Sequence, residues 1–186
     1  MTRIGIIVGS IAEASINRQV ANVLPGLATD EDVEFTFLEF KDLPFYDYAL
    51  DADYPQVARD WKQAIADVDG VIIVTPEYSR SIPGVLKNAL DWAARPWGQG
   101  SFAGKPVAIM GASIGSTATA AAQQHLRAIL GHYDAPTMGQ PETFFHYRAD
   151  AFGADGTLQD EAQASILANF VNAAVAHVKQ FARVSA

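Results

Sequence analysis

The first regularity along the chain is a set of short, almost wholly apolar runs. Three of them contain β-branched residues and predict strands at residues 3–8, 33–38 and 70–75, and a fourth strand is predicted at residues 106–110. A short fifth strand is predicted near residues 136–140. Because strands that are apolar on both faces are typical of parallel sheets, the pattern predicts a parallel sheet with helices on both faces.

Between these runs, apolar residues recur every three or four positions, which is the spacing of amphipathic helices. Five helices are predicted, at about residues 16–27, 56–68, 83–94, 116–130 and 160–183. The last one carries an apolar stripe made of Ile166, Leu167, Phe170, Ala174, Val178 and Phe181. The alternation of strands and helices predicts an α/β, doubly wound fold of five strands.

Length and composition agree with one well-packed unit. The chain has 186 residues, 49% of them apolar and 18% charged, so we expect a single domain over residues 1–186. It has no cysteine, which excludes a thiolate nucleophile, a disulfide and a cysteine-held iron–sulfur cluster. Its four histidines show no metal-ligand spacing, so no metal is predicted. Redox chemistry would therefore need an organic cofactor.

The charge balance limits the partners of the chain. Thirteen Lys and Arg residues against 21 Asp and Glu residues give a formal net charge of −8, without a basic run, so no nucleic acid is expected. The first residues lack the features of a signal peptide, and no apolar run approaches the length needed to span a bilayer. We therefore expect a cytoplasmic protein without a membrane partner.

Ligands of open α/β sheets bind beyond the carboxyl ends of the strands, so the loops after strands one, three and four are the candidate site. The first of these loops, residues 9–18, brings Ser10, Ser15, Asn17 and Arg18 to the start of a helix, where free N–H groups attract anions. Alternatively, Ser15 only caps the helix, and Asn17 and Arg18 are surface residues. A cation in the first turn opposes the helix dipole by about 0.3–1 kcal/mol. A nearby phosphate would offset this cost, so the presence of Arg18 favours a phosphate site here.

The second and third loops could accept a flat ring. Residues 75–84 include Pro76 and Pro83, which stiffen the loop, and Tyr78, which offers an aromatic face. Alternatively, this loop is a structural turn with Tyr78 packed on the core. Residues 111–117 are small and polar, so that a ligand can approach the backbone closely. The irregular residues 41–55 form a further loop that is long enough to be functional.

Two motifs resemble one family. Gly9-Ser10 followed by Ser15-x-Asn17 is similar to the phosphate loop of the NADPH-dependent FMN reductase family, which includes flavodoxin-like quinone, azo-compound and chromate reductases. The stretch TPEYSRSIPGVLKNALDW, residues 75–92, is similar to the long flavin-loop motif of that family. The chain departs from the pattern at Ala12, where the family usually has arginine, and at residues 113–116, where it usually has a glycine-rich run.

The resemblance implies a flavodoxin-like sheet with the strand order 2-1-3-4-5 and a site for FMN. Residues expected to hold the FMN phosphate are Ser10, Ser15, Ile16, Asn17 and Arg18. Those expected to contact the isoalloxazine ring are Pro76, Glu77, Tyr78 and Ser79, with Ser113 and Gly115 nearby. It also implies hydride transfer from NADPH to flavin N5, without a catalytic side chain, and then reduction of a flavin, quinone, azo compound or similar small aromatic acceptor.

Two alternatives stay open at this point. A flavodoxin-type electron carrier would hold FMN without reacting efficiently with NADPH, and a non-catalytic flavin-binding regulatory module would act through a partner. The resemblance further implies a homodimer or homotetramer that pairs through the third and fourth helices. Trp92, Trp97 and residues 43–46 suggest apolar surface beyond one core, and Arg127 with Glu142, placed after the fifth strand, is a candidate tetramer contact.

Overall fold

The sheet has five parallel strands in the order β2-β1-β3-β4-β5, as predicted. The structure is a computed structural model that describes residues 1–182. Its strands are β1 (Thr2–Val8), β2 (Val33–Phe37), β3 (Gly70–Val74), β4 (Val107–Ser113) and β5 (Thr143–His146). The register runs Ile4 opposite Gly70 and Val71 opposite Val107, so β3 lies in the middle of the sheet.

Five α-helices connect or follow the strands. They are α1 (Ile16–Leu27), α2 (Gln56–Ala66), α3 (Gly84–Ala94), α4 (Ala120–His132) and α5 (Glu161–Ala182). Two short 3-10 helices, Tyr48–Asp51 and Ala149–Ala151, interrupt the loops after β2 and β5. Four helices lie close to their predicted ranges; Arg183, at the end of the predicted final helix, lies outside the described residues.

The core has one layer on each face of the sheet. Helices α2, α3 and α4 cover one face with side chains that include Trp61, Leu86 and Leu126. Helices α1 and α5 cover the other with side chains that include Leu24 and Phe170. The sheet is therefore buried on both sides, as expected for strands that are apolar throughout.

The predicted position of the fifth strand, residues 136–140, is wrong. Thr137 does pair with Val107, but regular pairing begins only at Thr143, opposite Met110. Between these two pairs β4 advances by three residues, from 107 to 110, and the edge segment by six, from 137 to 143. The extra residues loop out around Pro141, which has no N–H to donate to the ladder.

Two other predictions need correction. Helix α4 begins at Ala120 and not at residue 116, because residues 114–119 form turns after a strand that continues to Ser113. Ile166 is 51% exposed, although it belongs to the predicted stripe of α5. It lines an open groove beside β5, at the edge of the sheet, where no further strand covers it among the described residues.

The expected dimer residues fall into two groups. Trp92 is fully buried in its own chain, where its ring meets Tyr46 and Tyr54 edge to face and its N–H donates to the Pro44 carbonyl. It is therefore not available to a partner. Trp97 is 79% exposed and remains a candidate for such a contact.

The proposed tetramer pair is close within one chain. Arg127 Nε lies 3.7 Å from Glu142 Oε1, and Arg127 Nη1 donates to the Met138 carbonyl. Glu142 also precedes β5 instead of following it. A contact inside the chain therefore accounts for this pair without a second subunit.

Gly111 allows a close contact at the carboxyl edge of the sheet. A Cβ atom at this position would lie 2.1 Å from the Thr75 carbonyl oxygen and 2.4 Å from Thr119 Oγ1. The first of these atoms is backbone and cannot rotate away. Because Gly111 has no side chain, the carboxyl ends of β3 and β4 can lie this close together.

We predict that Gly111→Ala lowers the free energy of unfolding by at least about 1–3 kcal/mol, because the added methyl group overlaps backbone. Gly131→Ala, inside α4, is the matched control, since its Cβ would meet nothing within 4 Å. The control should raise the free energy of unfolding by about 0.5–1 kcal/mol through helix propensity. Urea denaturation measures both changes, and equal stability of the two variants would contradict the close contact.

Candidate active site

Three loops meet at the carboxyl edge of the sheet because β1, β3 and β4 are neighbours there. The loop after β1 leads into α1, the loop after β3 into α3, and the loop after β4 into α4. In a sheet of order 2-1-3-4-5, the chain reverses its direction of winding between β1 and β3, and ligands bind at such a point. These loops, with the first turn of α1 and the last residue of β4, contain every site residue that the sequence predicts.

The loop after β1 presents free donors. Ser15 is the N-cap of α1, and its hydroxyl accepts a hydrogen bond from the Arg18 N–H at 3.3 Å. Within residues 1–182, the N–H groups of Ile16 and Asn17 have no acceptor. The Ser10 hydroxyl, in a residue that is only 7% exposed, accepts from Ala12 N–H. Unpaired N–H groups at the start of a twelve-residue helix are a donor set suited to an anion.

Asn17 connects α1 to β4. It is 1% exposed, which rules out the alternative of a surface residue. Its Nδ2 donates to the Ala112 carbonyl and its Oδ1 accepts from the Ala112 N–H, both at 2.9 Å. The side-chain amide is thus engaged with the end of β4, and the backbone N–H is the group of Asn17 that remains for an anion.

Arg18 has a partner that the sequence reasoning missed. Its Nη2 donates to both carboxylate oxygens of Glu39, at 2.7 and 2.9 Å, and its guanidinium lies 4.7 Å from the centre of the Phe37 ring. Glu39 follows β2 and therefore lies at the same edge as the loop after β1. An acidic residue directly after a predicted neighbouring strand was the signal that could have identified it. Both side chains line a cavity of about 180 Å³, together with Ser10 and Lys41.

The loop after β3 forms a tight hairpin. Tyr78 and Ser81 exchange two backbone hydrogen bonds of 2.9 and 3.0 Å around Ser79 and Arg80, both of which have positive φ. Two such residues in succession are the geometry of a type I′ turn. Tyr78 is 52% exposed, so it is not packed on the core. The N–H groups of Glu77 and Ser79 have no acceptor in the described chain, and Pro76 is buried behind them.

Glu77 attaches this hairpin to α4. Its Oε2 accepts from the Ala122 N–H at 3.1 Å, and its Oε1 lies 3.4 Å from Arg80 Nη1. Thr119, the N-cap of α4, makes no capping bond with its side chain, so the Glu77 carboxylate satisfies the helix start instead. A second contact joins the hairpin to α4, because the Ser81 hydroxyl lies 3.0 Å from His125 Nδ1. The hairpin therefore has a defined position relative to the third loop.

The loop after β4 is short and polar. The Ser113 hydroxyl accepts from the Gly115 N–H at 3.1 Å, and the Ser113 carbonyl accepts from the Tyr147 N–H at 2.9 Å. Gly115 is exposed, and its missing side chain leaves the backbone accessible. Thr117 receives a hydrogen bond from Arg80, which closes the contact between the second and third loops.

The loop after β2 borders the site and is held by α3. The Asn88 side chain accepts from the Tyr46 N–H and donates to the Pro44 carbonyl, at 2.8 and 2.9 Å. Burial raises the pKa of Tyr46, and its hydrogen bond to Asp51 adds to the rise. A neutral Tyr46 hydroxyl is therefore part of the loop's structure. Next to this loop lies a cavity of about 310 Å³ that is shared with Ile11 and Val85.

Neither a metal-binding cluster nor a helix that could span a membrane is found among residues 1–182. Among residues 1–182, no cluster of three or more His, Asp or Glu side chains could hold a metal ion. No helix within the same residues is long and apolar enough to cross a bilayer.

Comparisons with known proteins agree with this geometry. The sequence model of the NADPH-dependent FMN reductase family matches residues 2–150. A 2-hydroxy-1,4-benzoquinone reductase from Burkholderia sp. is 46% identical over 177 residues, which cover 95% of this chain and 96% of the relative. A quinone reductase from Escherichia coli (strain K12) is 40% identical over 138 residues, 73% of each chain.

The fold has a similarly clear counterpart. The solved structure of FerB, a flavoenzyme NAD(P)H:(acceptor) oxidoreductase from Paracoccus denitrificans, matches with a TM-score of 0.90 and 39% identity, over 97% of this chain and 98% of that one. The family model, the relatives matched over most of their length and the shared fold all indicate the same family. The chain therefore belongs to the NADPH-dependent FMN reductase family and is an oxidoreductase.

Proposed function

We propose that this chain binds FMN across the three loops and uses NADPH to reduce quinones, with flavins and azo compounds as further acceptors. The main support for the proposal is the position of two sets of N–H groups that have no acceptor within residues 1–182. The set at the start of α1 and the set in the hairpin after β3 lie at the same edge of the sheet. The names of the relatives support quinones as the acceptor class.

The first loop suits a monophosphate. Ser10 and Ser15 supply hydroxyls and Ile16 and Asn17 supply N–H groups, while Arg18, which is paired with Glu39, lines the cavity that Ser10 also borders. Asn17 acts here through its backbone, because its side chain holds β4. A phosphate at this helix start is favoured by hydrogen bonds and by the dipole.

The second and third loops suit the flavin ring. We assign the exposed Tyr78 ring, the N–H groups of Glu77 and Ser79, and the buried Pro76 to its support, with Ser113 and Gly115 at its border. FMN, when bound, supplies the chemistry by taking a hydride at N5 and passing electrons to the acceptor. The chain supplies orientation through a hairpin that Glu77 and Ser81 tie to α4.

We predict that NADPH reduces the FMN-loaded protein rapidly and that turnover continues with 1,4-benzoquinone, because the proposed site leaves a flavin open to both. Absorbance of flavin and NADPH measures the two steps. Ser10→Ala should lower turnover at limiting FMN, whereas Ser101→Ala, in the loop between α3 and β4, should not. A flavin that stays oxidised under NADPH would point to an electron carrier or a regulatory module instead.

We further propose that the protein is a homodimer, or a tetramer of dimers, in the cytoplasm, where NADPH is available as reductant. An apolar groove of about 820 Å³ between the ends of α3 and α4 supports pairing, with Trp97 and Ile129 in its wall. Burial raises the pKa of Tyr133 in this wall to about 12, with Asp91 adding to the rise, so its phenol stays neutral. A second copy of the chain is the proposed occupant of this groove.

We predict that light scattering reports at least twice the 20.0 kDa chain mass. Trp97→Asp should lower that mass toward one chain, because it places a charge in an apolar interface. Ile166→Asp is the matched control, since Ile166 is also an exposed apolar residue but lies beside β5. A wild-type protein that is monomeric at micromolar concentration would contradict the proposal.

A further inference from the structure

The Arg18 guanidinium forms an ion pair with a carboxylate at the edge of the sheet. Arg18 lies in the first turn of α1, where the helix dipole disfavours a cation. Glu39 offsets this by binding Nη2 through both carboxylate oxygens, at 2.7 and 2.9 Å. The Arg18 side chain is 29% exposed and the Glu39 side chain 58%, so both ends of the pair are accessible to solvent.

The pair lies beside Ser10, which belongs to the proposed phosphate site. Both side chains line the cavity of about 180 Å³ that Ser10 also borders. A phosphate that binds there meets a guanidinium whose charge is already neutralised, and a carboxylate of its own sign. Within residues 1–182, Arg18 Nε and Nη1 have no hydrogen-bond partner, so a phosphate could bind them. The Glu39 carboxylate would then stay bound to Nη2, close to the phosphate.

We propose that Glu39 is an affinity-determining residue, whose carboxylate competes with the flavin phosphate for Arg18. This inference rests on the proposed phosphate site at the start of α1. The chain then holds FMN less tightly than the same loop would with an unpaired Arg18. Glu39 acts through Arg18, and it has no role toward the flavin ring.

The test compares FMN with riboflavin, which lacks the phosphate. Quenching of flavin fluorescence gives both dissociation constants for the wild-type apoprotein and for Glu39→Gln. An exposed ion pair is weak, so we expect Glu39→Gln to bind FMN about two- to fivefold more tightly, with riboflavin unchanged. In an Arg18→Ala background, the same substitution should change FMN affinity much less, because the competed group is gone.

Two other carboxylates provide matched controls. Glu13 lines the same cavity and has no contact with Arg18, and Glu34 lies toward the opposite end of β2. Glu13→Gln and Glu34→Gln should therefore tighten FMN less than Glu39→Gln. An equal gain for Glu13→Gln, or the full Glu39→Gln gain without Arg18, would show simple charge repulsion and overturn the competition.

Failure of the inference is distinct from failure of the site. If the wild type prefers FMN to riboflavin and Glu39→Gln leaves that preference unchanged or lowers it, the phosphate site stands and the competition is wrong. If the wild type binds FMN and riboflavin equally, the proposed phosphate site is wrong and the inference falls with it. Melting temperatures of all variants separate either outcome from a loss of fold.

Discussion

Parallel strands can be joined only by segments that cross back over the sheet, and in this chain helices make those crossings on both faces. All the strands therefore end at one edge, and each helix that follows directly begins there. The first turn of each of these helices places N–H groups that have no acceptor within the helix at that edge. The candidate site follows from this direction of the strands, because the loops after β1, β3 and β4 have no other place to lie.

Side-chain contacts make these neighbouring loops into one unit. Asn17 joins the start of α1 to Ala112 on β4, Glu77 joins the hairpin to α4, and Gly111 lets β4 approach Thr75. A buried backbone group that loses its partner costs about 1–3 kcal/mol, so the Asn17 contact is expensive to break. Loops held in this way lose little conformational freedom when a ligand binds, which favours binding of a rigid ring.

The sequence was sufficient for what depends on local pattern. Four strands, the apolar faces of the helices and the three loops could all be predicted, because the residues that form each of these patterns are close together along the chain. Contacts between distant residues could not, since Asn17 meets Ala112 across 95 positions and no local pattern selects that partner. The position of β5 depends on where the chain loops out around Pro141, and the exposure of Ile166 on the lack of a sixth strand in the described sheet.

We propose that the start of α1 binds the FMN phosphate and that the hairpin after β3 supports the flavin ring. Amide chemical shifts during titration with FMN and with riboflavin test it directly. The N–H signals of Ile16 and Asn17 should move with FMN alone, whereas those of Glu77 and Ser79 should move with both ligands. Shifts at Ile16 and Asn17 that are the same for both ligands, or shifts concentrated around Trp97, would contradict it.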